Sequence, residues 1–218
     1  MIKALLLSLL LISSSVFAEC DHFYPNGKKI QLFGATELCN VFYVTQYDEA
    51  NSRALFSSEL LSPGKHDVPR RDAFRGDARV RPMVKPQEYY GSGYDKGHLV
   101  PADDANTPEE MHSTFLMTNM TPQNPKLNRG SWRQLEMKTR DTVDASGKPA
   151  RVVTGAIYGK DEKMQSVPIP SGYYKILYVV GQKPVAYYAN NTEKTRPRTV
   201  NISWVNARTG LKFPKETE

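Results

Sequence analysis

The chain has 218 residues, of which 39% are hydrophobic and 24% are charged. This length and balance permit a folded domain with a buried core and exclude an intrinsically disordered chain. The formal net charge is +6, which favours polyanionic partners such as nucleic acid, heparin-like polymers or anionic membranes.

The first eighteen residues have the pattern of a secretory leader. Lys3 gives a positive start, residues 4–12 form a short apolar run, and Val16 and Ala18 stand where a cleavage site needs small residues. The run is too short to cross a bilayer, and no later segment is long and apolar enough to do so. We therefore expect a signal peptide over residues 1–18 and a single exported domain over 19–218, periplasmic or secreted and without a membrane anchor.

The sequence contains two cysteines, Cys20 and Cys39. An exported chain folds in an oxidising compartment, where two cysteines form one pair. We predict a disulfide between them that ties the mature N-terminus to the first strand region. A bridge that closes a loop of this size stabilises a fold by roughly 3 kcal/mol.

The first half of the mature chain predicts short strands separated by irregular structure. Residues 41–47 are β-branched and aromatic and predict a strand, and residues 114–119 predict a second, short strand. Between them, residues 62–93 are rich in proline, glycine and arginine and predict a long irregular segment. Such segments usually carry function or are disordered.

The second half predicts a helix followed by strands. Pro122 and Pro125 delay the helix to about 126–143, and Gly147 stops it. Further elements are a strand at 151–158, a hairpin of 173–180 with 185–189, and a strand and short helix within 200–211 that ends at Gly210. The mixture predicts an α+β fold with a central, mostly antiparallel sheet.

Two polar blocks carry the chemistry. The first is Tyr94–Ala102, which contains Lys96 and His98, and the second runs from Thr118 to Glu136. Cleavage of a phosphodiester requires a base that activates water, charges that neutralise the phosphoryl oxygens, and stabilisation of the leaving oxygen. The side chain of His98 suits the first task because the pKa of an imidazole lies near neutrality.

The second block supplies ligands for a divalent cation. Mg²⁺ is often held by only one or two protein oxygens, so the amide of Asn128 at the start of a helix is sufficient. Glu136 is eight residues further on, about 80° around an ideal helix, and so faces the same site. Arg140 follows one turn later, where it can orient that acid.

In these residues the chain resembles the DNA/RNA non-specific endonucleases, a ββα-metal (His-Me finger) family that includes the Serratia nuclease and endonuclease G. The family's Asp-Arg-Gly-His motif corresponds to residues 95–98, and its Asn-x-Thr-Pro-Gln block to residues 119–123. An Asn-x-Gly-x-Trp run that leads to Leu-Glu corresponds to residues 128–136. Lys96 replaces the family's arginine and keeps the charge but loses the two-pronged contact with phosphate.

The resemblance implies a role for each site residue. His98 is the general base, Asn128 is the direct ligand of Mg²⁺ or a similar ion such as Mn²⁺, and Glu136 holds water around that ion. Asn119 is a further polar member of the site. The remaining members are basic residues, which are Lys96, Arg140 and an upstream arginine for which Arg70 is the first choice and Arg71 the alternative.

The function that follows is an exported endonuclease that hydrolyses DNA and RNA with a divalent metal and leaves 5′-phosphate ends. Its partners are nucleic acids bound through their backbones, with no small-molecule cofactor, and no inhibitor can be read from the sequence. Two alternatives remain at this point. One is a non-catalytic basic protein that binds nucleic acid, and the other is a nuclease restricted to double-stranded DNA.

Overall fold

The computed structural model describes residues 20–30, 32–64, 66–159 and 162–216. Residues 1–18, the predicted leader, lie outside the described residues, so the leader and its cleavage site stay predictions. Within the described parts of the chain, none of the helices combines the length and the apolar character needed to span a bilayer.

A seven-stranded sheet forms the centre of the molecule. In chain order the strands of the protein are β1 (Thr36–Cys39), β2 (Tyr43–Asp48), β3 (Arg53–Leu61), β4 (Asp95–His98), β5 (Met120–Gln123), β6 (Ala150–Ile157), β7 (Lys163–Met164), β8 (Val167–Pro168), β9 (Gly172–Val179), β10 (Val185–Asn190) and β11 (Arg198–Val200). The central sheet has the order β1-β2-β3-β6-β9-β10-β11, and every neighbouring pair is antiparallel. The predicted α+β class and antiparallel sheet are thereby confirmed.

In the described part of the chain three α-helices accompany the strands: α1 (Pro108–Thr114), α2 (Arg133–Ser146) and α3 (Ile202–Thr209). The side chain of Thr107 caps α1 by accepting a hydrogen bond from the Glu110 amide at 3.1 Å. Helices α2 and α3 both end at glycines in the left-handed conformation, Gly147 (φ 62°) and Gly210 (φ 73°). The sequence predicted both of these stops.

One face of the sheet is apolar. Val44, Val153 and Ile176 lie in one row across β2, β6 and β9, with Ser58 of β3 between the two valines, and belong to the same core cluster as Ile202 and Val205 of α3. The N-terminal segment covers the same face, where the predicted Cys20–Cys39 disulfide is present and joins it to β1. This face supplies the larger hydrophobic core.

The opposite face of the sheet is unusually polar. The strand register places Thr45, Ser57, Thr154 and Lys175 in one row across β2, β3, β6 and β9. All four side chains are buried. Their hydroxyls and ammonium are paired: Thr45 Oγ1 lies 2.8 Å from Ser57 Oγ, and Lys175 Nζ donates to Thr154 Oγ1 at 2.6 Å. Buried polar groups need such partners, since without them burial costs stability.

Strands β4 and β5 form a separate hairpin that leads into α2. The hairpin contains both sequence blocks, because Asp95–His98 pairs in antiparallel register with Met120–Gln123. The prediction of a strand over residues 114–119 was wrong, since α1 extends to Thr114, a 3-10 turn covers Met117–Asn119, and the strand starts at Met120. The described residues of the 62–93 segment are irregular as predicted, apart from an isolated bridge at Arg75 and one 3-10 turn, Pro86–Tyr89.

Candidate active site

Close packing of the β4–β5 hairpin explains the glycine before His98. Gly97 lies opposite Thr121, and a Cβ at Gly97 would lie 2.5 Å from the Cβ of Gln123. Any larger residue would therefore push the two strands apart. At the next position His98 pairs with Met120, which fixes the backbone that carries the imidazole.

The imidazole of His98 lies between aromatic rings. Its centroid is 5.7 Å from the ring of Phe74 and 5.1 Å from that of Phe115. Burial, together with the nearby charge of Arg70, lowers the pKa of His98 to about 3. The ring is therefore neutral at physiological pH. Among the described residues its Nε2 is buried and has no hydrogen-bond partner.

Asp95 fixes the amide of Asn128. The Nδ2 group of Asn128 donates to Asp95 Oδ2 at 2.9 Å, and Arg129 holds both oxygens of the same carboxylate at 2.8 and 2.5 Å. Because Asp95 accepts from the amide nitrogen, the amide oxygen of Asn128 is the atom left for a ligand. Asn124 caps the start of this helical turn, since its Oδ1 accepts a hydrogen bond from the amide of Lys126 at 3.0 Å.

His98, Asn128 and Glu136 line one open cleft of about 490 Å³. The first comes from β4, the second from the irregular helical turn Leu127–Trp132, and the third from α2. The charged side chains in the cleft wall are Arg70, Lys96, Arg129, Arg133, Asp72, Asp95, Asp103 and Glu136. Four are basic and four acidic, so the wall has no formal excess of positive charge.

Glu136 is an acid with an unusual environment. Burial raises its pKa to about 7, the charge of Asp104 adds to the increase, and Lys175 opposes it. Behind it lie Glu59, which is fully buried and whose carboxylate oxygens have no partner in the described chain, and Asp104, which Arg140 contacts at 2.5 Å. Burial and mutual repulsion raise the pKa of Glu59 as well. Three acids and two bases thus share the space between α2 and the polar face of the sheet.

The basic residues expected in the site occupy different places. Lys96 lines the cleft, and its ammonium lies 4.8 Å from the centroid of Phe74. Arg70 also lines it and pairs with Asp72 at 2.8 Å and Asp103 at 3.7 Å, whereas Arg71 does not contribute to the wall. Arg140 lies behind the cleft and pairs with Asp104 rather than Glu136.

Asn119 lies beneath the cleft rather than in its wall. Its side chain is fully buried, accepts from the amide of Val100 at 3.0 Å, and donates to the carbonyls of Val100 and Thr114 at 3.0 Å. These bonds hold the chain that leaves β4 directly after His98. Asn119 therefore positions the site from below, through the backbone.

Several residues of the cleft were absent from the sequence-based set. Arg129 and Arg133 follow Asn128 by one and by five positions, spacings that do not share a face of an ideal helix, so helical periodicity gave no reason to include them. The sequence motif contains Asp95 but does not show that its carboxylate accepts a hydrogen bond from the amide of Asn128. Lys175 gave no signal, since a lysine inside a hydrophobic strand is expected to reach solvent.

An antiparallel hairpin that carries a histidine and leads into a helix whose start carries an asparagine is a ββα-metal motif. The class of the protein is therefore an α+β ββα-metal fold. A sequence model of the DNA/RNA non-specific endonuclease family matches residues 26–218. The chain belongs to this family.

Individual relatives and one solved structure are consistent with that assignment. A nuclease of Nostoc sp. is 36% identical over 167 residues, covering 73% of this chain and 60% of the relative. The nuclease of Serratia marcescens is 30% identical (59% and 55% covered), and human mitochondrial endonuclease G is 32% identical (62% and 52%). This chain thus spans little more than half the length of these relatives. A chain in the crystal structure of the EndoG/EndoGI complex has a TM-score of 0.73 at 22% identity, covering 85% of this chain and 87% of that one, which shows a shared fold.

Proposed function

We propose that the protein is an exported endonuclease that hydrolyses both DNA and RNA with Mg²⁺ or a similar divalent cation. The observation that carries the proposal is the convergence of a neutral imidazole, His98, and an amide oxygen, that of Asn128, in one open cleft. The first can accept a proton from water, and the second is a ligand of the kind Mg²⁺ prefers.

The residues present fit a divalent cation. Asp95 engages only the nitrogen of the Asn128 amide, and Glu136 adds a carboxylate in the same cleft. When bound, a divalent cation neutralises charge on the phosphoryl oxygens and stabilises the departing oxygen. The wall needs that added charge, because its four acids offset its four bases and would otherwise weaken attraction for a polyanion.

In the proposed reaction each residue has a separate task. His98 takes the proton of the attacking water, and its depressed pKa keeps it unprotonated over the whole neutral range. Lys96 and Arg70 contact the non-bridging phosphate oxygens. Glu136 orients water around the ion that the Asn128 amide would hold. The water that gives its proton to His98 attacks phosphorus opposite the 3′ oxygen, which leaves and takes a proton from solvent, so that the products have 5′-phosphate ends.

The proposal of export is supported by two sequence features and one structural feature. The leader pattern of residues 1–18 and the two cysteines indicate an oxidising destination, and Cys20 and Cys39 are joined. Mass spectrometry of protein recovered from outside the cytoplasm should find an N-terminus at Glu19. Recovery of cytoplasmic protein that retains Met1 would refute export.

The test of the reaction compares His98→Ala with His112→Ala, an exposed histidine on α1. Each variant is incubated with plasmid DNA, single-stranded DNA and RNA, with Mg²⁺ or with EDTA. The wild type and His112→Ala should cut all three with Mg²⁺ and none with EDTA, whereas His98→Ala should bind but not cut. Near-normal cleavage by His98→Ala would refute the mechanism. Cleavage of duplex DNA alone would select the narrower substrate class, and shifted but intact DNA in all lanes would select a binding protein.

A further inference from the structure

A second cavity adjoins the catalytic cleft. It has a volume of about 330 Å³ and lies between the chain around Tyr90 and the β7–β8 hairpin. Tyr94 lines both the cavity and the cleft, so the two are neighbours. Lys163 on β7 provides a positive charge at the far wall.

The ring of Tyr90 is displayed to solvent on an ordered turn. Its side chain is 68% exposed, whereas that of the preceding Tyr89 is buried. The turn is held by hydrogen bonds, since the amide of Tyr90 donates to Gln87 O at 3.0 Å and Ser92 Oγ donates to Tyr89 O at 2.8 Å. An exposed aromatic ring on rigid backbone offers its face to a ligand without a large loss of entropy on binding.

The two walls of the cavity are joined. The hydroxyl of Ser166, in the turn between β7 and β8, donates to the carboxylate of Glu88, which precedes the tyrosine pair. On the other side of the hairpin the amide of Ile169 donates to Glu162 O at 2.8 Å. The cavity is therefore preformed, as ligand sites commonly are.

The spacing between Tyr90 and the catalytic cleft suits one nucleotide. The ammonium of Lys96, which lines the cleft, lies 5.9 Å from the centroid of the Tyr90 ring. One sugar joins each phosphate to its base, so a phosphate held at Lys96 brings its base to the edge of the second cavity. Aromatic rings bind bases of any sequence by stacking, but only bases whose faces are free.

Resting on the proposed nuclease function, we propose that this cavity is a subsite for an unpaired nucleobase next to the scissile phosphate, stacked on Tyr90 beside Tyr94. Lys163 contacts the phosphate that follows. A duplex must unstack a base to fill the subsite, whereas a single strand fills it directly. The subsite therefore favours single-stranded substrates and distorted duplexes over regular ones.

The first test measures binding without catalysis. A single-stranded oligonucleotide that contains 2-aminopurine, a fluorescent adenine analogue, is titrated with His98→Ala protein in EDTA. Stacking on Tyr90 should quench the fluorescence, and adding Tyr90→Ala should remove the quenching and weaken binding by roughly ten-fold. Tyr90→Phe keeps the ring and should retain both. Unchanged quenching in the Tyr90→Ala background would overturn the proposal.

The second test measures specificity. The values of kcat/KM are compared for one sequence as a single strand and as a duplex, in wild type, Tyr90→Ala and Phe33→Ala. Phe33 is the matched control, an exposed ring that lines a different cavity with Leu211. Tyr90→Ala should lower the single-strand to duplex ratio by roughly ten-fold, mainly through KM, and Phe33→Ala should not. Equal losses on both substrates would refute the subsite. If the wild type cuts neither substrate, the nuclease function fails, while the fluorescence result still decides the stacking.

Discussion

Replacement of Glu136 by glutamine should stabilise the metal-free protein at alkaline pH. The pKa of Glu136 is raised from 4.5 to about 7, so the folded state disfavours the ionised form. Below pH 4.5 the carboxyl is protonated in both the folded and the unfolded state, and the free energy of unfolding is not reduced. As the pH rises through 7, ionisation favours the unfolded state and this stability is lost. Between pH 5 and pH 8 this linkage lowers the wild-type free energy of unfolding by about 2 to 3 kcal/mol, which Glu136→Gln avoids.

Urea denaturation of both proteins in EDTA, at pH 5 and pH 8, measures the effect. The difference in unfolding free energy between Glu136→Gln and wild type should become more positive at pH 8 by the amount given above. Added Mg²⁺ should reduce this gain, because a nearby cation favours the ionised carboxylate. Nuclease activity of Glu136→Gln should fall at every pH. A stability difference that is the same at both pH values would refute the assignment of a raised pKa to Glu136.

Three further predictions concern other parts of the fold. Lys175→Met should lower the free energy of unfolding, measured in urea, by roughly 3 kcal/mol, because it leaves buried acids without their cation. If Lys175→Arg recovers less than half of that loss, the shape of the side chain matters as well as its charge. Thr107→Ala should cost about 1 kcal/mol through the lost cap of α1, with unchanged activity as the check that the site is distant. Reduction of the Cys20–Cys39 bridge should cost roughly 3 kcal/mol, and an unchanged urea midpoint in dithiothreitol would contradict this.

The two central residues of the site were predictable because each lies in a short motif with a strict local demand. Gly97 is required by the close approach of β5, and His98 follows it directly on the strand. Asn128 stands at the start of a helix that Pro125 and Gly147 delimit in the sequence. Local signals of this kind survive folding, so these positions and the antiparallel character of the sheet could be anticipated, whereas the strand order was not predicted.

The rest depended on contacts between distant residues. Asn119 is an amide next to the motif, and only the fold shows that its partners are the backbones of Val100 and Thr114. The strand expected at 114–119 starts only at Met120, because the helix that Thr107 caps extends to Thr114 and a 3-10 turn covers Met117–Asn119. The sequence Thr-Pro-Glu-Glu at 107–110 carries that signal, and the β-branched run after it was given too much weight.

The two faces of the central sheet differ in which substitutions they tolerate, because one is apolar and the other has a row of buried polar residues beneath α2. On the apolar face, Val44, Val153 and Ile176 can be replaced by other hydrocarbon side chains of equal volume at little cost to activity. On the polar face, Lys175 donates a hydrogen bond to Thr154 and offsets the acids behind Glu136. Replacing either residue by a hydrocarbon side chain would disturb this charge balance. Attempts to make this protein more heat-resistant should therefore work from the face that α3 covers.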